Sequence, residues 1–238
     1  MEEAATARIV ITENGPYIVT GAAPIAVQTI TPDAEGDSWE WTQGQAPEAR
    51  ATCALCRCGR SQNAPYCDGT HARIGFDGAE TASKAPYESQ KSVLEGPGLT
   101  LDDVRPLCAV ARFCDAVRDV WDAIPDTDQP DIRHLAIHQA TRCPSGRLVL
   151  RDTATGEVIE PPLPPSIGLV EDPVEGCSGP LWVRGGIEIV SHDGQSYERR
   201  NRVALCRCGQ SQNKPFCDGT HTEVKYRAHP GADAAPQA

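Results

Sequence analysis

Long apolar runs are missing from this chain. Nothing in its 238 residues approaches the roughly eighteen consecutive apolar positions of a membrane-spanning helix. The opening M-E-E-A-A-T-A-R has neither the apolar stretch of a secretory signal nor the Arg-rich, acid-poor character of a transit peptide, so a cytoplasmic protein without a membrane partner is expected. Positive charge is scarce as well: 22 Lys and Arg face 33 Asp and Glu, for a formal charge of −11. With no basic cluster, sequence-independent binding to nucleic acid or to an anionic membrane is not expected. Aromatics make up only 5%, against 21 Gly and 20 Pro, which favours short strands and many turns over a helical bundle. No Ser-His-Asp set, phosphate loop, dinucleotide fingerprint or paired-carboxylate signature is present, and no enzymatic activity is expected.

Cysteine, by contrast, is abundant at eleven residues, and six of them fall in one stretch that occurs twice. Residues 54–71 read A-L-C-R-C-G-R-S-Q-N-A-P-Y-C-D-G-T-H and residues 204–221 read A-L-C-R-C-G-Q-S-Q-N-K-P-F-C-D-G-T-H, identical at fifteen of eighteen positions. Each copy offers three thiols and an imidazole: Cys56, Cys58, Cys67 and His71, then Cys206, Cys208, Cys217 and His221. Cys67 and His71 lie four apart, a spacing that places two side chains on one helical face. Asp68 and Asp218 suit a cap that steadies the ligand loop, and Ser61 and Ser211 suit hydrogen bonds within it. Three cysteines and a histidine form a tetrahedral zinc set, while thiolates with a substituting histidine also hold iron–sulfur clusters. The tight Cys-x-Cys pairing departs from the usual zinc-knuckle spacing, but spacing alone leaves both metals open.

The pattern C-R-C-G-x-S-x-x-x-P-x-C-D-G-T-H resembles the CDGSH signature of the mitoNEET family of 2Fe-2S proteins, with Thr70 and Thr220 where the family name has serine. The resemblance implies one 2Fe-2S cluster per motif: Cys56 and Cys58 on one iron, Cys67 and His71 on the other, and Cys206, Cys208, Cys217 and His221 repeating the scheme. Such a site carries −1 when oxidised and −2 when reduced, and its neutral histidine makes reduction easier than four thiolates would. An imidazole whose second nitrogen is exposed would also couple the potential to pH. Family members are dimers with a β-rich cap and a cluster-binding end. Two motifs in one chain imply an intramolecular pseudo-dimer, and a monomer.

The duplication reaches upstream, since Gly15-Pro16-Tyr17-Ile18-Val19 lines up with Gly179-Pro180-Leu181-Trp182-Val183. Gly15 to Cys56 spans 41 positions and Gly179 to Cys206 only 27, so the first copy carries a fourteen-residue excess, expected as a loop within 33–50. The fold class expected is α+β, with β-rich halves at 1–77 and 161–228, a helical and hairpin insert at 78–160, and a flexible tail at 229–238. In the insert, Val104, Leu107, Ala111, Cys114, Val117, Trp121 and Ile124 fall at helical spacing and predict a helix over 105–124. A second helix is expected over 131–143 and a hairpin over 147–159.

Cys108-A-V-A-R-F-Cys114 followed by Cys143-P-S-G-R-L resembles divergent single-cluster ferredoxin modules, which implies a third cluster. Against it stand the count of three thiols and the expected helix, on which Cys108 and Cys114 point about 240° apart. Buried apolar cysteines are the expectation there, as for Cys53 and Cys177. His134 and His138 are expected on an exposed helical face. The function expected is that of an iron–sulfur protein in electron transfer, cluster transfer or redox and pH sensing, partnered by a redox protein or an apo-acceptor of clusters. A zinc-stabilised scaffold and an accessory domain of an enzyme are the alternatives.

Overall fold

The computed structural model describes residues 7–47 and 50–228. The expected tail at 229–238 lies outside these, as does His229. The first half begins with β1 (Arg8–Ile11), β2 (Tyr17–Thr20), β3 (Ile25–Pro32) and β4 (Ser38–Gln43), and β5 (Thr52–Leu55) leads into the first cysteine motif. The short helix α1 (Thr70–Arg73) closes that motif. The second half supplies β10 (Ser166–Asp172), β11 (Cys177–Arg184), β12 (Glu188–Val190), β13 (Arg202–Leu205) and, after the second motif, α5 (Thr220–Glu223).

The halves exchange strands: the second lends β12 to the first half's sheet, and the first lends β3, with β4 at its edge, to the second's. One sheet runs β12-β1-β2-β5, the other β13-β11-β10-β3-β4. Both exchanges are parallel, β1 against β12 through Ile9 and Ile189, and β3 against β10 through Val27 and Leu169. The halves are therefore interlaced as a swapped pseudo-dimer, with a mixed α+β architecture. Alternation along the strands sends Ile9, Ile11, Tyr17 and Leu55 from one half, and Ile167, Leu181, Ile189 and Leu205 from the other, into one shared core.

The insert has its own core. Strands β6 (Ser92–Glu95), β7 (Leu99–Asp103), β8 (Leu148–Asp152) and β9 (Val158–Ile159) form an antiparallel sheet. Against it pack α3 (Val120–Ala123) and α4 (Pro130–Thr141); α2 (Tyr87–Gln90) precedes the sheet. The hairpin at β8–β9 and the helix at α4 match the sequence expectation.

The helix over 105–124 does not form. Single 3-10 turns at Arg105–Leu107 and Phe113–Asp115 flank extended chain, and Val110, Arg112 and Val117 take positive φ of 51°, 61° and 63°. A right-handed helix cannot pass through those values. Arg112 is held there by a two-pronged ion pair to the buried Asp172 of β10, at 2.7 and 3.1 Å. The fourteen-residue excess is not merely a loop either, because part of it is the edge strand β4. From it Trp41 packs on Trp182 and Phe113 and donates to the Arg142 carbonyl, while Trp39 stacks on His138 at 3.9 Å. His138 is therefore half-buried against β4, and only His134 lies on an exposed face.

Candidate metal centres

In each motif the last strand delivers the first thiol, and a tight loop returns the second pair of donors. Cys56 and Cys67 are fixed by the backbone ladder: Cys56 N–H donates to the Pro65 carbonyl at 2.8 Å, and Cys67 N–H to Ala54 at 2.8 Å. Ser61 Oγ donates to the Tyr66 carbonyl and accepts from Asn63 N–H, so the loop is tied from inside. Asp68 spans it, with Oδ2 accepting from Gln62 N–H at 2.9 Å and Oδ1 from Thr70 N–H at 3.0 Å. Ser211 and Asp218 repeat these bonds in the second copy. Cys67 and Cys217 lie ahead of α1 and α5 rather than on a shared helical face with their histidines. It is the turn at Gly69 and Gly219, φ +82° and +90°, that brings thiol and ring together.

The donors fall into close pairs. Cys56 Sγ lies 3.7 Å from Cys58 Sγ, and Cys67 Sγ lies 3.2 Å from His71 Nδ1. The second copy gives 3.7 Å for Cys206 and Cys208, and 3.3 Å for Cys217 and His221. Among the described residues, no three His, Cys, Asp or Glu side chains converge as they would on a single ion.

The surroundings favour one thiolate in each Cys-x-Cys pair: the shared hydrogen bond and then burial raise Cys58 and Cys208, and burial raises Cys217. The Cys58 thiol donating to Cys56, with the amides of Ser61, Gly59 and Arg60 also turned toward it, lowers Cys56 to about 6. The corresponding bond from Cys208 lowers Cys206 to about 7. Burial, with the Arg207 guanidinium as a second cause, lowers His221 to about 4 and keeps its imidazole neutral.

Several contributors were not among the expected site residues. Arg57 and Arg207, the x of each Cys-x-Cys, turn away from the donors and are 1% and 3% exposed. Arg57 donates to the Gly78 and Thr12 carbonyls, Arg207 to the Gly179 and Val170 carbonyls and to Glu171. Tyr17 of the first half donates its hydroxyl to the Cys206 carbonyl of the second at 2.8 Å. The only advance signal was recurrence, since both copies carry arginine at the same place.

The two sites touch back to back. A Cβ on Gly59 would lie 2.4 Å from the Cys208 carbonyl oxygen, and one on Gly209 2.6 Å from that of Cys58. Only glycine admits this approach.

Comparison with known families agrees with this duplicated geometry. The family model described as "Iron-binding zinc finger CDGSH type" matches residues 14–72 and again 178–222. This is a tandem CDGSH protein. Between its two CDGSH regions, residues 94–153 match a family described as "Divergent 4Fe-4S mono-cluster". No curated protein and no solved structure was matched by the chain. The tandem CDGSH protein is thus an iron–sulfur protein, and among its described residues no helix is long and apolar enough to cross a membrane.

The CDGSH sites differ in access. Cys206, Cys208, Cys217 and His221 are 1–4% exposed, whereas Cys67 and His71 are half-exposed beside an open pocket lined by Glu13, Phe76 and Asp77. In the insert, Cys108, Cys114 and Cys143 are half-exposed and line one cavity of about 700 Å³. The broken helix is what lets Cys108 and Cys114 face the same space. Cys53 and Cys177 are buried on β5 and β11, and none of the eleven cysteines is in a disulfide.

Proposed function

We propose that each CDGSH site holds a 2Fe-2S cluster, through Cys56, Cys58, Cys67 and His71 and through Cys206, Cys208, Cys217 and His221, and that the protein is a one-electron carrier rather than an enzyme. The observation that carries this reading is the pairing of donors. Two tetrahedral metal atoms side by side need two ligands each, and the four donors of each motif are already split into two pairs at about 3–4 Å. A single zinc ion would draw four donors to one point, which supports iron over a zinc scaffold. Bound there, the cluster supplies a reversible one-electron couple. The chain's own part is to hold the donors before loading, through Asp68, Ser61 and their counterparts. It also keeps Cys56 and Cys206 toward thiolate and shields the second site from water.

A third centre in the insert belongs to the same reading. The match to a four-iron module and the convergence of Cys108, Cys114 and Cys143 on one cavity support it, and the rotation argument against it disappears with the helix. Three thiols leave its fourth position to a non-thiol donor. Anaerobic purification with iron and sulfide counts tests both parts. Two diiron centres give about four irons per chain, and a further four-iron centre about eight. A colourless protein holding about one zinc per motif would refute the reading.

A further inference from the structure

The three ligand sets are not independent in space. Cys108, Ala109 and Val110 run directly over the second CDGSH site. Ala109 packs with Cys217 in one buried cluster, and a Cβ on Gly219 would lie 2.2 Å from Val110 Cγ2. Asp218, next to the ligand Cys217, lines the same cavity as Cys108, Cys114 and Cys143. On its other side the second site meets the first through the Cys58-Gly59 and Cys208-Gly209 contact. Tyr226 fills the seam, packed with Cys206, Cys208 and Ala64 of the first motif.

Exposure follows the same order. Both outer sets reach the surface, the insert at its open cavity and the first CDGSH site at Cys67 and His71. The middle set does not, being closed by the insert on one face and by the first half on the other. Arg112 locks that cover in place through Asp172.

We propose that the three sets form one electron conduit, in which the second CDGSH site is a sealed relay and only the insert and the first CDGSH site exchange electrons with outside proteins. This rests on the three-centre reading above. Each passage moves one electron, so one site is oxidised as its neighbour is reduced and no bond is made or broken. The net reaction oxidises a one-electron donor protein of the flavin or iron–sulfur class and reduces a one-electron acceptor protein. Both partners dock at the outer sites.

The test uses the anaerobically purified full chain. Iron and sulfide are counted first; about four irons per chain would remove the insert's member, and a failure of that kind is seen before any electron moves. With about eight present, EPR spectra are followed through a dithionite titration. Contact between neighbouring sites predicts line shapes that split or broaden as reduction nears completion, and a spectrum that only grows in amplitude would overturn the conduit. The relay is isolated by combining Cys108→Ser and Cys114→Ser with Cys67→Ser and His71→Ala. Ferric cytochrome c, a cationic protein drawn to this acidic one, serves as the oxidant. Oxidation of the remaining cluster should be about tenfold or more slower than in wild type, since a protein oxidant has lost its approach. Restoring either outer set should return most of the rate. An unchanged rate in the isolated relay would refute the sealing.

Discussion

Lys214→Ala separates charge from burial at the second CDGSH site. The matching position in the first motif is Ala64, so the substitution makes the motifs alike at this point. Lys214 folds back over its own loop: its ammonium donates to the Ser211 carbonyl at 2.8 Å and lies near enough to Cys206 to favour the thiolate. A site that gains one negative charge on reduction is stabilised in the reduced state by that cation. At an effective dielectric of about 20, unit charges interact by about 4 kcal/mol at about 4 Å and about 2 kcal/mol at about twice that separation; taking the weaker figure, screening of a half-exposed ammonium reduces it to about 1 kcal/mol. With about 59 mV for each 1.4 kcal/mol in a one-electron couple, the variant's second site should fall by about 40 mV. Arg57 and Arg207 are untouched by the substitution and drop out of the comparison between wild type and variant. Burial works against Lys214, because the low-dielectric surroundings of His221 and Cys217 disfavour the more negative state. The ordering of the two natural sites therefore reflects two opposed effects, while the substitution isolates one. The assay is a dye-mediated redox titration read by EPR on wild type and variant. If neither potential moves by more than about 10 mV, the electrostatic reasoning fails, since that is well below the screened estimate.

Three further outcomes are expected. His71→Cys and His221→Cys should each lower the potential of their own site, because a fourth thiolate adds a negative charge; titration of the single variants checks this, and a potential that rises would contradict the ligand assignment. Gly59→Ala should destabilise the fold by about 2 kcal/mol or more, because its Cβ meets the Cys208 carbonyl rather than a side chain that can swing away, and φ is +71°. Urea unfolding measures that, with Gly69→Ala as a comparison that has similar φ and open space around it. Arg112→Ala leaves the buried Asp172 carboxylate without its principal partner, for a loss of about 3 kcal/mol. It should also expose His221 to solvent, read as faster loss of visible absorbance from the second site than in wild type; an unchanged rate would show that the insert does not act as its cover.

The candidate donors could be picked out in the sequence because the motif is local: eighteen residues contain the thiols, the ring, the carboxylate that ties the loop and the glycine that turns it. The strand exchange was legible only as duplication, since nothing in Ile9 or Val27 names a partner in the other half. The insert misled for a physical reason. Val104 and Leu107 enter the shared core, Phe113 joins Trp182, Val120 and Ile124 enter the insert's own core, and Val117 is 70% exposed. Residues at helical spacing were buried against separate surfaces, so their period reflected no common face. The positive φ values of Val110 and Arg112 had no sequence signal, because neither residue type prefers them. Long-range contacts, above all Arg112 on Asp172, hold them. The strand at β4 was hidden in the same way, its tryptophans lying in a stretch flanked by turn residues.

Duplication within one chain permits an asymmetry that a homodimer cannot reach. In a symmetric pair of identical subunits any element laid over one site is laid over both. Here the insert follows the first copy and precedes the second, and it covers only the second. Arg202 shows how firmly: this residue of β13, 1% exposed, donates to the Ala140, Cys143 and Leu148 carbonyls of the insert and pairs with Glu160. Its place in the first motif is taken by Thr52, an exposed residue on β5 that accepts no such load. One arginine thus anchors the cysteine-bearing end of the insert to the strand that delivers Cys206. The near-identical motifs are left in unlike surroundings, one open at His71 and one enclosed, and in the proposed conduit that difference is what would order two copies of one site into a path.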